Sequence, residues 1–264
     1  MSTVPSSLPD WLRPVEEAAR SITVHELTRF MPPEDEQPRE SAVLMLFGEG
    51  PGGPDLLLTE RSHTMRSHPG QVSFPGGSID PGEAPRDTAL REAEEETGLE
   101  RAGVEVFAEL PQLWLPPSNF AVTPVLAWWR EPSAVHAVSP DEVHAVYRVP
   151  ISELSDPAHR INVTMPGGWR NPGFLIGAEH DVICWGFTAG VILRLFEYLG
   201  WIEDLPDAPE QELPAYMLVG RRLNQDVLPN TDHPTKAPEG GAVRGGRPLP
   251  RGPRKSDFEQ RRRG

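Results

Sequence analysis

The sequence predicts an α/β fold, and three observations carry the prediction. Apolar runs of strand length stand at residues 42–47, 55–59 and 120–129. Two segments with helical patterning, 85–97 and 186–200, are interleaved with the strands. The 31 prolines and 24 glycines are heavy for a packed domain of 264 residues, so they belong in loops and tails.

In chain order, residues 1–10 read as unstructured, and Asp10 is a candidate cap for a short amphipathic helix through Arg20, with Trp11, Leu12, Val15 and Ala19 on one side. A charged linker spans 31–40. The run Ala42-Val43-Leu44-Met45-Leu46-Phe47 is continuous enough for a buried strand, and Asp55-Leu56-Leu57-Leu58-Thr59 returns from a Gly/Pro turn as its hairpin partner. A polar loop, 61–70, leads to a short strand at 71–74 and the turn Pro75-Gly76-Gly77. Strands follow at 104–110, 120–129 and 143–149, with a loop at 114–119 and a helical turn at 150–154. Residues 161–165 and 173–176 suggest a hairpin, and Val191, Ile192, Leu195 and Leu199 give the last helix a core stripe. Beyond Trp201 the chain is Pro, Gly and charge, apart from an apolar patch at 215–219, and reads as a disordered tail.

Net charge is −14, unevenly spread: residues 221–264 hold 11 Lys and Arg against 5 Asp and Glu, and residues 1–220 hold 14 against 34. An acidic body argues against nonspecific nucleic-acid binding by the folded part, and an anionic substrate needs local basic residues and a metal. Cys184 is the single cysteine, which excludes an internal disulfide and fits a small core residue. Pro5, Pro9 and Asp10 stand where a signal peptide needs an apolar run, and no apolar stretch reaches membrane-spanning length. The cytoplasm is the expected compartment.

The helix at 85–97 carries the chemistry. Pro85 suits a first turn, Gly98 supplies a left-handed cap, and Ala89, Leu90 and Ala93 form a slim face that packs close to a sheet. Glu92 shares a face with Glu95 and Glu96, so three carboxylates are expected to converge, with Glu94 adding charge nearby. Repulsion at that spacing is relieved by a cation, and oxygen ligands without a Cys or His set select Mg2+ or Mn2+. An acidic run alone is as readily a solvated helix face.

Spacing separates the two readings. Gly77, five residues, Glu83, seven residues, Arg91-Glu92-Ala93, one residue, Glu95-Glu96, one residue, Gly98-Leu99 resembles the Nudix box over 23 positions, with Ala93 a mild departure where a larger aliphatic is preferred. The resemblance covers about residues 40–201 and implies a Nudix-type α/β/α sandwich with a mixed central sheet, flanked by an N-terminal extension (1–39) and a basic tail (202–264). It further implies metal ligation by Glu92, Glu95, Glu96 and the Gly76 carbonyl, with Arg91 and Glu83 orienting them. Gly77 falls to substrate binding.

A narrower resemblance precedes the box. Leu57-Leu58-Thr59-x-Arg61-Ser62-x3-Arg66-x3-Gly70-x3-Phe74-Pro75-Gly76-Gly77 is similar to the signature of the coenzyme A pyrophosphatase branch. Arg61 and Arg66 offer guanidinium forks to phosphate oxygens. The implied activity is metal-dependent hydrolysis of coenzyme A or its derivatives to 4′-phosphopantetheine and adenosine 3′,5′-bisphosphate. ADP-ribose or another nucleoside diphosphate derivative is the alternative substrate, and a binding-only sensor the alternative class. The general base is Glu142, in a loop before the strand at 143, or else Glu95 in the box. The expected partner is a small-molecule substrate, with no membrane and no nucleic acid for the folded domain, and a homodimer is the one assembly considered.

Overall fold

The computed structural model describes residues 8–33, 37–116, 118–165 and 168–218. In chain order the elements are α1 (Arg13–Ala19), α2 (Val24–Leu27), β1 (Arg39–Gly50), β2 (Gly53–Arg61), β3 (Val72–Ser73), β4 (Gly76–Ser78), α3 (Pro85–Thr97), β5 (Val104–Glu109), β6 (Leu113–Leu115), β7 (Phe120–Trp129), β8 (Val143–Pro150), α4 (Ile151–Leu154), β9 (Arg160–Met165), β10 (Trp169–Ile176), β11 (Val182–Cys184), α5 (Gly186–Tyr198) and β12 (Glu210–Glu212).

The main sheet runs β3-β2-β1-β7-β5, with β8 paired to β2, β4 to β1 and β6 to β7. It is mixed, because β1 lies parallel to β7 but antiparallel to β2. Both faces are covered, which explains the continuous apolar run in β1. Ala42, Leu44 and Leu46 pack with Ala89 and Ala93 of α3, while Met45 and Phe47 pack with Leu12 and Val15 of α1 and Ile192, Leu195 and Phe196 of α5. The α/β/α layering that the resemblance implies is therefore present. Ala89 and Ala93 have no exposed surface, so α3 sits close to the sheet and brings its polar face near the strand ends.

A second sheet, β11-β10-β9-β12, was not separable in the sequence from the expected hairpin. The tail expected from residue 202 is corrected in its first part. Residues 202–218 return across this sheet, where β12 pairs parallel with β9 and Asn162 donates to the carbonyls of Pro206 and Ala208 at 3.0 Å each. Leu213 and Met217 bury against Ile161, Val163, Ile183 and Trp185. The basic remainder, 219–264, lies outside the described residues, as do residues 1–7.

At the other end, α1 begins at Arg13 without a side-chain cap, so Asp10 is not the cap; it pairs with Arg13 at 3.4 Å instead. Leu8, expected in an unstructured stretch, is buried in the same core as Leu12 and Val15. Trp11 donates from Nε1 to Glu49 Oε1 at 2.7 Å, so the extension is fastened to β1. No helix among the described residues is long and apolar enough to cross a membrane.

Candidate active site

Backbone geometry sets the platform. Gly76 and Gly77 extend the chain as β4 along β1, and a Cβ on Gly76 would stand 2.3 Å from the Ala42 carbonyl oxygen. A Cβ on Gly77 would stand 2.3 Å from the Glu92 carboxyl carbon, so glycine is what lets that carboxylate approach the strand. From there α3 starts at Pro85 and ends on Gly98, whose φ of 69° is left-handed and whose N–H donates to the Glu94 carbonyl at 2.8 Å.

Arg91 is the hub of the helix face. Its Nε and Nη2 both reach Glu83 at 3.0 Å, and its Nη1 donates to Glu92 Oε1 at 2.9 Å and Glu95 Oε2 at 3.3 Å. Arg91, with help from the Thr88 hydroxyl, holds the Glu83 carboxyl down at about 2, and these acids in turn push the guanidinium up. Glu94 faces elsewhere and pairs with Arg101.

Glu92, Glu95 and Glu96 are held by different partners. The first two meet through Arg91, while Glu96 turns toward Arg61 and the Gly76 N–H. Burial pushes Glu96 up to about 8, with the Arg61 charge opposing and the like charges of Glu92 and Glu142 adding to the rise. Glu96 Oε2 is shut off from solvent without a hydrogen-bond partner, as is Arg61 Nε. An orphaned carboxylate oxygen beside a second carboxylate fits a hard divalent cation, which would satisfy both.

Strand pairing explains how Glu142 and Arg61 come to the same place. Arg61 stands opposite Val143 after a register shift in the β2–β8 ladder, and the Ser62 N–H donates to the Glu142 carbonyl at 2.8 Å. Asp141 and Glu142 are both exposed. Arg61 is also held through its own N–H to the Gln71 carbonyl at 3.1 Å, whereas Arg66 is exposed on the loop that follows. The structure thus brings Glu92, Glu96, Gly76, Arg61 and Glu142 into one electrostatic neighbourhood, while Arg66 is exposed on the following loop.

The NUDIX domain family matches residues 36–165 of the chain. A protein of Photorhabdus laumondii named uncharacterized Nudix hydrolase NudL is 38% identical over 160 residues, covering 60% of this chain and 83% of that one. This chain belongs to the Nudix hydrolase family. The NudL protein of Escherichia coli (strain K12 / DH10B) is 36% identical over 165 residues, 61% of this chain and 83% of that one. Nudix hydrolase 3 of Caenorhabditis elegans is 42% identical over 105 residues, so the chain spans only 44% of that protein. A solved Nudix hydrolase from M. Smegmatis, RenU, aligns over 60% of this chain and 84% of that one at 22% identity and a TM-score of 0.40, a likeness too loose to bear on the site. As a Nudix hydrolase the chain cleaves diphosphate linkages, and the family generally uses divalent metal ions.

Two further groups escaped sequence reasoning. Among the described residues, three potential ligand atoms lie within 4.8 Å of one another at Glu60, His63 and His144 and at Glu153, His159 and His180. His63 showed no metal-ligand spacing in the sequence, yet its Nε2 lies 2.6 Å from Glu60 Oε1, and the Tyr147 hydroxyl donates to Glu60 Oε2 at 2.6 Å. Only the turn of β2 and its pairing with β8 bring these together, so no local signal could have found them.

Proposed function

We propose that this Nudix hydrolase acts on coenzyme A or a coenzyme A derivative, yielding 4′-phosphopantetheine and adenosine 3′,5′-bisphosphate. The observation that carries the reading is Arg61. It is fixed by backbone bonds on both sides within the Leu57–Gly77 signature, and its guanidinium lies beside Glu96 with Nε unpartnered. A planar fork in that place suits the oxygens of a diphosphate next to the metal ligands.

Glu92, Glu95, Glu96 and the Gly76 carbonyl would hold Mg2+ or Mn2+, and the ion would supply charge neutralisation at the diphosphate and a more acidic water. Arg91, anchored on Glu83, keeps the Glu92 and Glu95 carboxylates aimed. Glu142 accepts the proton of the attacking water from an exposed loop position. Gly77, where the Glu92 carboxylate lies against β4, borders the phosphates, and the exposed Arg66 meets the outer phosphate of the substrate.

The test is a panel of coenzyme A, dephospho-coenzyme A and ADP-ribose with Mg2+, products identified by mass. Coenzyme A is expected to show the highest kcat/KM and the two named products. A higher kcat/KM for ADP-ribose would assign the chain to the nucleoside diphosphate sugar reading.

A further inference from the structure

A cavity of about 420 Å³ has no residue of the box in its lining, which includes Tyr147, Arg148, Glu153, Gly177, Ala178 and His180. At its wall three side chains from different elements converge. Glu153 comes from α4, directly after β8. His159 ends a single 3-10 turn, Pro157–His159, that Asp156 caps by accepting from the Ala158 N–H at 2.9 Å. His180 sits in the turn between β10 and β11, where its N–H donates to the Gly177 carbonyl at 3.0 Å and its φ is 52°. The antiparallel β9–β10 pairing places the start of β9 beside the end of β10, which is why these loops meet.

The contacts are unfinished. His180 Nδ1 lies 3.5 Å from Glu153 Oε1, too long for a good hydrogen bond, and the two imidazole rings lie 3.9 Å apart between centroids. Glu153 Oε1 and His159 Nδ1 are both shut off from solvent without a hydrogen-bond partner. All three residues offer a ligand atom within 4.8 Å of the others. Two ligand atoms on a tetrahedral zinc, with bonds of about 2.0–2.2 Å, stand about 3.4 Å apart, close to the His180–Glu153 separation. The group at Glu60 lacks these features, because both its carboxylate oxygens already have close partners in His63 and Tyr147.

We propose that Glu153, His159 and His180 form a transition-metal site of the zinc class, separate from the box, with its fourth position open to the cavity. Two imidazoles and one carboxylate favour Zn2+ over the hard ions that suit the oxygen-only box. The bound metal clasps α4 to the β10–β11 turn, fixing the second sheet against the end of β8. Nothing in it depends on which diphosphate the box cleaves.

The experiment uses the full chain, stripped with chelator, returned to excess Mg2+ to occupy the box, and titrated with Zn2+ against a chromophoric chelator. Wild type is expected to bind one equivalent tightly, with a rise in Tm, and Co2+ in its place to give tetrahedral absorption bands. His180→Gly keeps a residue suited to the left-handed backbone, and His159→Phe keeps a ring against His180. Each is expected to weaken zinc binding on the order of 100-fold or more and to remove the Co2+ bands, while the metal-free Tm stays near wild type. The double variant His63→Ala/His144→Ala is expected to bind as wild type does. Unchanged zinc binding in both His180→Gly and His159→Phe, or its loss in the double variant, would overturn the proposal.

Discussion

The Nudix box draws Glu92, Glu95 and Glu96 from one 13-residue helix, whereas the Glu153–His159–His180 corner draws its ligands from a short helix, a 3-10 turn and a strand-connecting turn. The box is oxygen-rich and partly neutralised by Arg91, which contacts Glu83, Glu92 and Glu95. The corner is built from two imidazoles and one carboxylate, and Glu153 Oε1 and His159 Nδ1 lack hydrogen-bond partners. The difference teaches that spacing along the chain reveals a site only when one element builds it. When strand pairing builds the site, the same residue types pass unnoticed.

The sharpest way to break the comparison is at Glu142, which belongs to the box in space but not in sequence. Glu142→Gln is expected to lower kcat by about 10²- to 10⁴-fold with little change in KM, and Asp141→Asn to be mild, both read by steady-state kinetics with Mg2+. A near-normal kcat in Glu142→Gln would return the role of base to the helix, at Glu95.

Truncation tests where the second sheet ends. Removal of residues 219–264 is expected to leave activity and Tm near those of the full chain. Cutting after Leu205 also removes β12, Leu213 and Met217, each of the two side chains worth about 1.5–3 kcal/mol of burial, and should lower Tm by several degrees. Thermal denaturation of the two truncations side by side checks this. Equal Tm values would mean that the 202–218 segment adds no stability.

A smaller effect separates Glu96 from its neighbours in the chelated protein. Its carboxyl holds a proton more tightly folded, up to about 8, than unfolded, near 4.5. The associated stability is complete below about 4.5 and lost as pH rises through about 8. Glu96→Gln, which never ionises, is expected to gain Tm relative to wild type as pH rises across that window. A Tm difference independent of pH would show that burial does not hold that proton.

These contrasts locate what the sequence could and could not say. The α3 helix was legible to the residue because Pro85, Gly98 and the alanine face act locally, and β1, β2 and β7 were legible because both their faces are buried. The separate partners of Glu96 and of Glu92 and Glu95 were not, since they depend on Arg61 arriving from β2 and on the contacts that Arg91 makes. Asp10 looked like a cap, but α1 starts at Arg13, with a proline in its first turn and Leu12 buried at its head. β12 was hidden for a different reason: Glu210-Gln211-Glu212 has no apolar alternation, and its pairing with β9 is made by backbone and by Asn162 beside it.

The central claim is that the α3 carboxylates act through a divalent ion on a diphosphate. The most direct measurement is hydrolysis of coenzyme A by wild type and Glu96→Gln, first in chelator and then with Mg2+ returned. Wild type is expected to be inactive in chelator and to recover fully with Mg2+, while Glu96→Gln, folded by circular dichroism, stays at least about 10³-fold slower in either condition. Full turnover by the chelated wild type, or recovery of Glu96→Gln to the wild-type rate, would contradict the account.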